Sequence, residues 1–394
     1  MTPDRRPAHV LVRLALAGFG ICLAGTCGDA KAPSAPYPQT SLTAERGRAI
    51  PDEVLQPWMQ YYGVPGVSIA VASGGALDWA RGYGVADAGT RVPVTPDTIF
   101  QAASISKAMA ATTALGLCDE LGLDLDADVR GLLQSWRLPE NAFTQRTPVT
   151  LRLLLSHSAG VNVHGFAGYD SASRQRLPSL LEILDGTPPA NNEPIRVTSD
   201  PGVVYRYSGG GYQIVQQVLE DVARKGYADL VQARVFDRAG MSRSSILDPR
   251  DGSPVAAASA HDENGSVVSG RWHLYPELSA AAVWTTPTDL VRFATALQLA
   301  YRDQSEALLP AAVARTMLTA QRPTDVAGQS IALGLFLEGS GDGAYFQHGG
   351  ANAGYRCYLL GYLDRPIAIA IMTNSEKGDR LLSPLLDALK RAYS

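Results

Sequence analysis

Lysine is scarce in this chain: only five of its 34 basic residues are lysine. A chain so biased toward arginine that still keeps a lysine inside a run of small apolar residues marks a position where a permanent charge would not serve, because a guanidinium stays protonated and an amine need not. Positive charge is not in excess either. The formal net charge of -4 leaves no broad basic field to attract phosphates, which excludes nucleic acid as a partner. Cysteine is rare, with four in 394 residues. Two of them, Cys22 and Cys27, fall near the start of the chain. The remaining pair, Cys118 and Cys357, cannot staple a fold of this size and is expected as buried thiols rather than a disulfide. The sequence has no H-E-x-x-H or paired-ligand histidine spacing, no P-loop and no strand-G-x-G-x-x-G-helix, so no metal and no nucleotide cofactor is expected. It also lacks a G-x-S-x-G elbow and any internal repeat.

What is present is ample apolar material. With 46% hydrophobic and 18% charged residues, the chain has enough for one large core. Its beginning reads as an export signal: Arg5, Arg6 and Arg13 precede the apolar "LALAGFGICLAGT", which is followed by small and polar residues with a cleavage-type Ala30-Lys31-Ala32. Residues 1–35 are therefore expected to be signal peptide and tether, and 36–394 a single domain of a periplasmic or secreted protein. Envelope association is compatible with that reading.

Beyond the tether, an amphipathic helix near Ile50 to Tyr62 leads into two alternating apolar runs split by Gly74-Gly75, the pattern of a strand, a tight turn and a strand. Near the other end, "IALGLFLEG", "AYFQHGG", "GYRCYLLGYL" and "PIAIAIMTN" read as successive antiparallel strands, and "LLSPLLDALKRAY" as a closing amphipathic helix. In "VWTTPTDLVRF", Thr286 is a helix cap, with Pro287 in the first helical position. The expected fold class is α/β, in an α+β two-lobe form. One antiparallel sheet is built from both chain ends and flanked by helices, and an all-helical lobe spans about residues 105–275. A lid over the site is expected within 162–200.

The stretch "QAASISKAMAATTAL" raises the functional question. On a helix, positions three apart share a face, so Ser104 and Lys107 meet. A hydroxyl becomes a useful nucleophile when a base takes its proton, and a lysine serves as that base once burial makes its ammonium unfavourable.

With that pair stated, "SISK" at a helix start resembles the first signature of the penicillin-recognising serine hydrolases, whose members include β-lactamases, D-Ala-D-Ala peptidases and related esterases. The second signature of the class C branch is a tyrosine, any residue, then asparagine. "PGVVYRYSGGGYQIVQQVLEDVA" supplies Tyr207-Ser208 in the expected context, with Gly209 where the asparagine usually stands. The third, a Lys-Thr-Gly or His-x-Gly strand, resembles His348-Gly349-Gly350. The phrases "LLLSHSAGV" and "AAVWTTPTDLVRF" fit the same family, and the likeness runs from about Ala49 to the end.

The resemblance implies Ser104 as nucleophile, Lys107 with Tyr207 as the proton-transfer pair, and the backbone N–H groups of Ser104 and Ala351 as the oxyanion hole. His348, Gly349 and Gly350 are implied to line the substrate pocket, the glycines letting the substrate backbone lie close. His157 is expected to be structural, and so is Tyr205. Two departures weigh on the substrate. Glycine at 209 removes an amide-holding side chain, and histidine at 348 replaces a permanently charged lysine. The expected function is an exported serine hydrolase forming an acyl-enzyme on an ester or amide, of esterase or D-amino-acid peptidase type, with a small-molecule or peptide-like substrate. A β-lactamase or D,D-carboxypeptidase is the alternative within the class, and a non-turnover penicillin-type binding or sensor protein is the alternative outside it.

Overall fold

The computed structural model describes residues 35–173, 175–246 and 256–394. Residues 1–34, which hold Cys22, Cys27, the Ala30-Lys31-Ala32 triplet and most of the expected leader, lie outside them.

Its sheet obeys the alternation read in the strands. β1 (Gly66–Ser73) and β2 (Ala76–Gly84) form a hairpin whose turn, Gly74-Gly75, has φ of 67° and 84°, values that glycine adopts without Cβ strain. The other strands are β3 (Arg322–Pro323), β4 (Gln329–Ile331), β5 (Phe336–Glu338), β6 (Tyr345–Asn352), β7 (Tyr355–Tyr362) and β8 (Ile367–Thr373). Their order across the sheet is β2-β1-β8-β7-β6-β5-β4-β3, every pairing antiparallel. Both chain ends thus meet in one sheet, through β1 against β8 with Ile69 opposite Ile371.

Side chains of a strand alternate between faces, and here the alternation sorts them by size. In β8, Ile367, Ile369 and Ile371 join a core with Val67, Ile69 and Val71 of β1, together with Leu55 of α1 (Asp52–Tyr62) and Leu381, Leu385 and Leu389 of the last helix, Gly378–Ala392. On the opposite face Ala368, Ala370 and Ala70 are small, so the helices of the larger core pack close against the strands.

That larger core centres on α2 (Ser106–Leu121), entered through a 3-10 turn at Ala103–Ile105. Ala108, Ala110, Ala111, Thr112, Thr113 and Ala114 are all buried. A helix covered on every side needs small residues to let its neighbours approach, which accounts for the composition of the stretch. Against it lie α3 (Gly209–Ala223) and the short α4 (Leu278–Ala281), while α5 (Pro287–Tyr301) packs on β1 and β8 of the sheet. Thr286 caps α5, its Oγ1 accepting from the Asp289 N–H at 3.2 Å.

Two expectations need correction. The region 105–275 is not all helical, since Tyr169–Asp170 pairs with His273–Leu274 as a two-stranded ribbon. Nor is "IALGLFLEG" one strand: Ile331 ends β4 and Phe336 begins β5, separated by a turn in which Gly334 has φ 81°. Cys118 and Cys357 are free and buried, as composition implied. Among the described residues no helix is long and apolar enough to cross a membrane.

Candidate active site

The chain leaves the two-residue strand Phe100–Gln101 through a strained step. Ala103 has φ +49°, an orientation that costs a residue with a Cβ on the order of 1 kcal/mol, and it lifts Ser104 onto the 3-10 turn. The surroundings hold that step in place. The Ala102 N–H donates to the carbonyl of Val283 at 2.8 Å, and the Val283 N–H donates to Ser106 Oγ at 3.1 Å. Cys357 Sγ donates to the carbonyl of Ala102 at 3.0 Å. Ser104 itself is only partly buried, whereas Lys107, one turn on, is 2% exposed.

Lys107 Nζ lies 3.0 Å from Ser104 Oγ and donates to the carbonyl of Ala280 at 2.9 Å. Burial pulls its pKa down to about 7. An uncharged amine in this geometry gives one hydrogen to Ala280 and turns its lone pair toward the serine hydroxyl. The third member, Tyr207, is hydrogen-bonded with Ser104, and its ring centroid is 5.0 Å from Lys107 Nζ. Burial pushes the phenol well above its ordinary range. The tyrosine is therefore a neutral hydroxyl at physiological pH, and the lysine is the member of the pair that burial leaves partly as free amine there.

Tyr207 owes its place to the start of α3. Ser208 is the N-cap: its Oγ accepts from the Gly211 N–H at 2.9 Å and donates to the carbonyl of Asn162 at 2.6 Å. Gly209, Gly210 and Gly211 are the first turn of this helix. His157 supports the same segment. Its Nδ1 accepts from the Ser208 N–H at 3.1 Å, and its ring lies 4.2 Å from that of Tyr207. Burial holds it uncharged. This agrees with a structural role, since it holds Tyr207 and has no hydrogen bond to Ser104. Tyr205 is turned toward Phe336, 6.4 Å between rings.

From the sheet, β6 brings the remaining predicted residues. Its pairing with β5 covers only Tyr345–Gln347, so from His348 onward that edge runs free beside the nucleophile turn. His348 is 2% exposed, donates from Nδ1 to the carbonyl of Gly349 at 2.6 Å, and leaves Nε2 without a protein partner. Burial and then the lysine charge pull its pKa down to about 3, so it carries no charge for a substrate carboxylate.

Gly350 has a different purpose from the one expected of it. A Cβ there would stand 2.2 Å from the carbonyl oxygen of Ala102 and 2.4 Å from Cys357 Sγ, so its missing side chain admits the nucleophile turn rather than a substrate. Gly349 and Ala351, opposite Tyr358 and Arg356 in the register, are partly exposed. Gly350→Ala is expected to lower stability by about 1–3 kcal/mol by overpacking, measured as a shift of the urea midpoint. An unchanged midpoint would mean that the contact is slack.

Two residues escaped the sequence reading. Asn352 Nδ2 donates to Gln101 Oε1 at 2.7 Å and to the carbonyl of Ala281 at 3.1 Å, tying β6, the nucleophile strand and α4 together. Its only signal was its place beside the His-Gly-Gly stretch. Glu277, at the start of α4, is fully buried with both carboxyl oxygens unpartnered, and burial pushes its pKa up to about 8. It is thus held protonated and uncharged, three residues before the carbonyl that receives Lys107.

Known proteins resemble this chain in sequence and in fold. The Beta-lactamase family profile matches residues 51–392. The mouse protein named "Serine beta-lactamase-like protein LACTB, mitochondrial" is 29% identical over 162 residues, which is 41% of this chain and 29% of that one. The D-aminopeptidase of Gluconobacter oxydans is 28% identical over 217 residues, 52% of this chain and 36% of that one. The chain thus spans about a third of the length of these relatives. Among solved structures, the octameric penicillin-binding protein homologue from Pyrococcus abyssi superposes with a TM-score of 0.70 at 22% identity, covering 84% of this chain and 76% of that one.

Proposed function

Because this chain belongs to the Beta-lactamase family, we propose that it is a serine hydrolase working through an acyl-enzyme, with Ser104 as nucleophile, Lys107 as base and an ester as the preferred substrate. One observation carries the reading: the buried amine, with a pKa near 7, stands 3.0 Å from the serine hydroxyl.

In acylation, Lys107 takes the Ser104 proton as Oγ bonds to the acyl carbon. The oxyanion is held by the backbone N–H groups of Ser104 and Ala351, and the bond to the leaving alkoxide breaks as that oxygen is protonated. Tyr207, a neutral phenol bonded with Ser104, is placed to pass that proton on. Water then attacks the acyl carbon, the same base takes its proton, and Ser104 is released.

The ester preference rests on what the site lacks. Uncharged His348 offers nothing to a carboxylate, and Gly209 presents no side chain to an amide. Small D-amino-acid amides come next, and the relative from Gluconobacter oxydans is named a D-aminopeptidase. Export, through the leader read in residues 1–35, belongs to the same proposal.

Rates on a p-nitrophenyl ester, a D-alanyl anilide and nitrocefin test the ordering, with a fluorophosphonate to label the nucleophile. Fastest turnover of nitrocefin would overturn the ordering. Stoichiometric labelling without turnover of any substrate would favour a binding protein. Tyr207→Phe is expected to lower kcat at least about a hundredfold, the low end for a lost proton-transfer group. Wild-type rates in that variant would leave proton transfer to Lys107 alone.

A further inference from the structure

The first turn of α3 is not open on the side of Gly209. A Cβ built on that residue comes 2.9 Å from Phe166 Cε2 and 3.2 Å from the carbonyl oxygen of His164. Real side chains essentially never sit so near, so the phenyl edge occupies the space a residue at 209 would need. The segment bearing Phe166 is pinned there by its backbone. The carbonyl of His164 accepts from the Gly209 N–H at 2.9 Å, that of Val163 accepts from the Gly210 N–H at 3.0 Å, and that of Asn162 accepts from Ser208 Oγ. The ring of His164 lies 4.9 Å from that of Tyr207. Burial, then the Lys107 charge, lowers the pKa of His164, which places it within the field of the reacting groups.

We infer that Phe166 and His164 form the acyl-side wall of the site and set its specificity, accepting plain apolar acyl chains and rejecting acyl groups that carry their own amide. This rests on Ser104 being the nucleophile. The reason is desolvation. An amide brought against a phenyl edge loses water and finds no donor or acceptor at 209, whereas an alkyl chain there loses only its contact with water. Glycine at 209 and phenylalanine at 166 are therefore one device: a longer residue at 209 has no room while the phenyl ring stays.

The test uses two esters with one leaving group, p-nitrophenyl butyrate and N-acetyl-D-alanine p-nitrophenyl ester, each normalised to its own rate of hydrolysis by hydroxide. Wild type is expected to prefer the butyrate in kcat/KM by roughly tenfold or more, the effect of one unpaired amide. Gly209→Asn alone should lower turnover of both esters, because its side chain displaces Phe166. The pair Phe166→Ala with Gly209→Asn should move the ratio at least about tenfold toward the amide-bearing ester. Phe166→Leu, a milder change that keeps the wall apolar, should leave the preference for butyrate in place. A flat ratio across these variants, each still labelled at Ser104 by a fluorophosphonate and melting like wild type, would overturn the inference while leaving the hydrolase reading intact. Absence of labelling at Ser104 in wild type would instead remove the reading on which it rests.

Discussion

Lys107→Arg is expected to lower kcat/KM for ester hydrolysis by about 10³- to 10⁴-fold, the upper part of the range for a lost general base. The guanidinium keeps a donor for Ala280 but is permanently charged and has no lone pair for the Ser104 proton. Since arginine is also bulkier in a buried site, Lys107→Met separates loss of the base from loss of the fold. It should be as inactive as the arginine variant, yet more stable than wild type near neutrality.

The sign follows from proton binding. The folded amine titrates near 7 and the unfolded one near 10.5, so between those values only the unfolded chain carries the proton. Wild-type stability therefore rises as pH climbs from about 7 toward 10.5, and the methionine variant lacks that slope. Activity should climb along with deprotonation, on a limb centred near pH 7. Melting curves and kcat/KM profiles between about pH 6 and 9 check both. A flat activity profile, or full activity in the arginine variant, would exclude an uncharged lysine as the base.

Ser104→Ala should reduce turnover by at least about 10⁴-fold and abolish fluorophosphonate labelling. The loss should exceed that of Tyr207→Phe, because removing the nucleophile deletes the acyl-enzyme, while removing the phenol only impairs a proton transfer. Folding should survive the change, since the hydroxyl is partly exposed and its deletion leaves little cavity in the core. Residual hydrolysis at wild-type rate would mean that water or another group attacks directly, and the chemistry proposed for the site would fall with it.

Much of the fold was legible because its signals are local. The alternation in "PIAIAIMT" sets both the strand and the faces of its residues, since period two is a property of the strand alone. The Gly74-Gly75 turn and the Thr286-Pro287 helix start are likewise written in adjacent residues. The short β4 and β5 were misread as one strand because the break between them depends on how Gly334 packs, its missing Cβ making room for Ala111 of α2. Glycines raised the same difficulty elsewhere. Gly350 in a pocket-lining signature was expected to face substrate, and its actual neighbour is the carbonyl of Ala102. The sequence does not say which of several close approaches a glycine serves.

By itself, then, the amino-acid order determined that Ser104 and Lys107 share a helical face, that the terminal strands alternate, and that an arginine-rich chain keeps one lysine in an apolar run. All of these follow from the spacing of near neighbours and from side-chain chemistry. Only the tertiary structure decided that this lysine titrates near 7, that Tyr207 stands beside it as a neutral phenol, and that Phe166 fills the place opposite Gly209. Each of those depends on burial by residues far along the chain, such as Ala280, whose carbonyl receives Lys107 across 173 positions. A pKa is set by the water and charge around a group, and that surrounding exists only once distant segments have packed together.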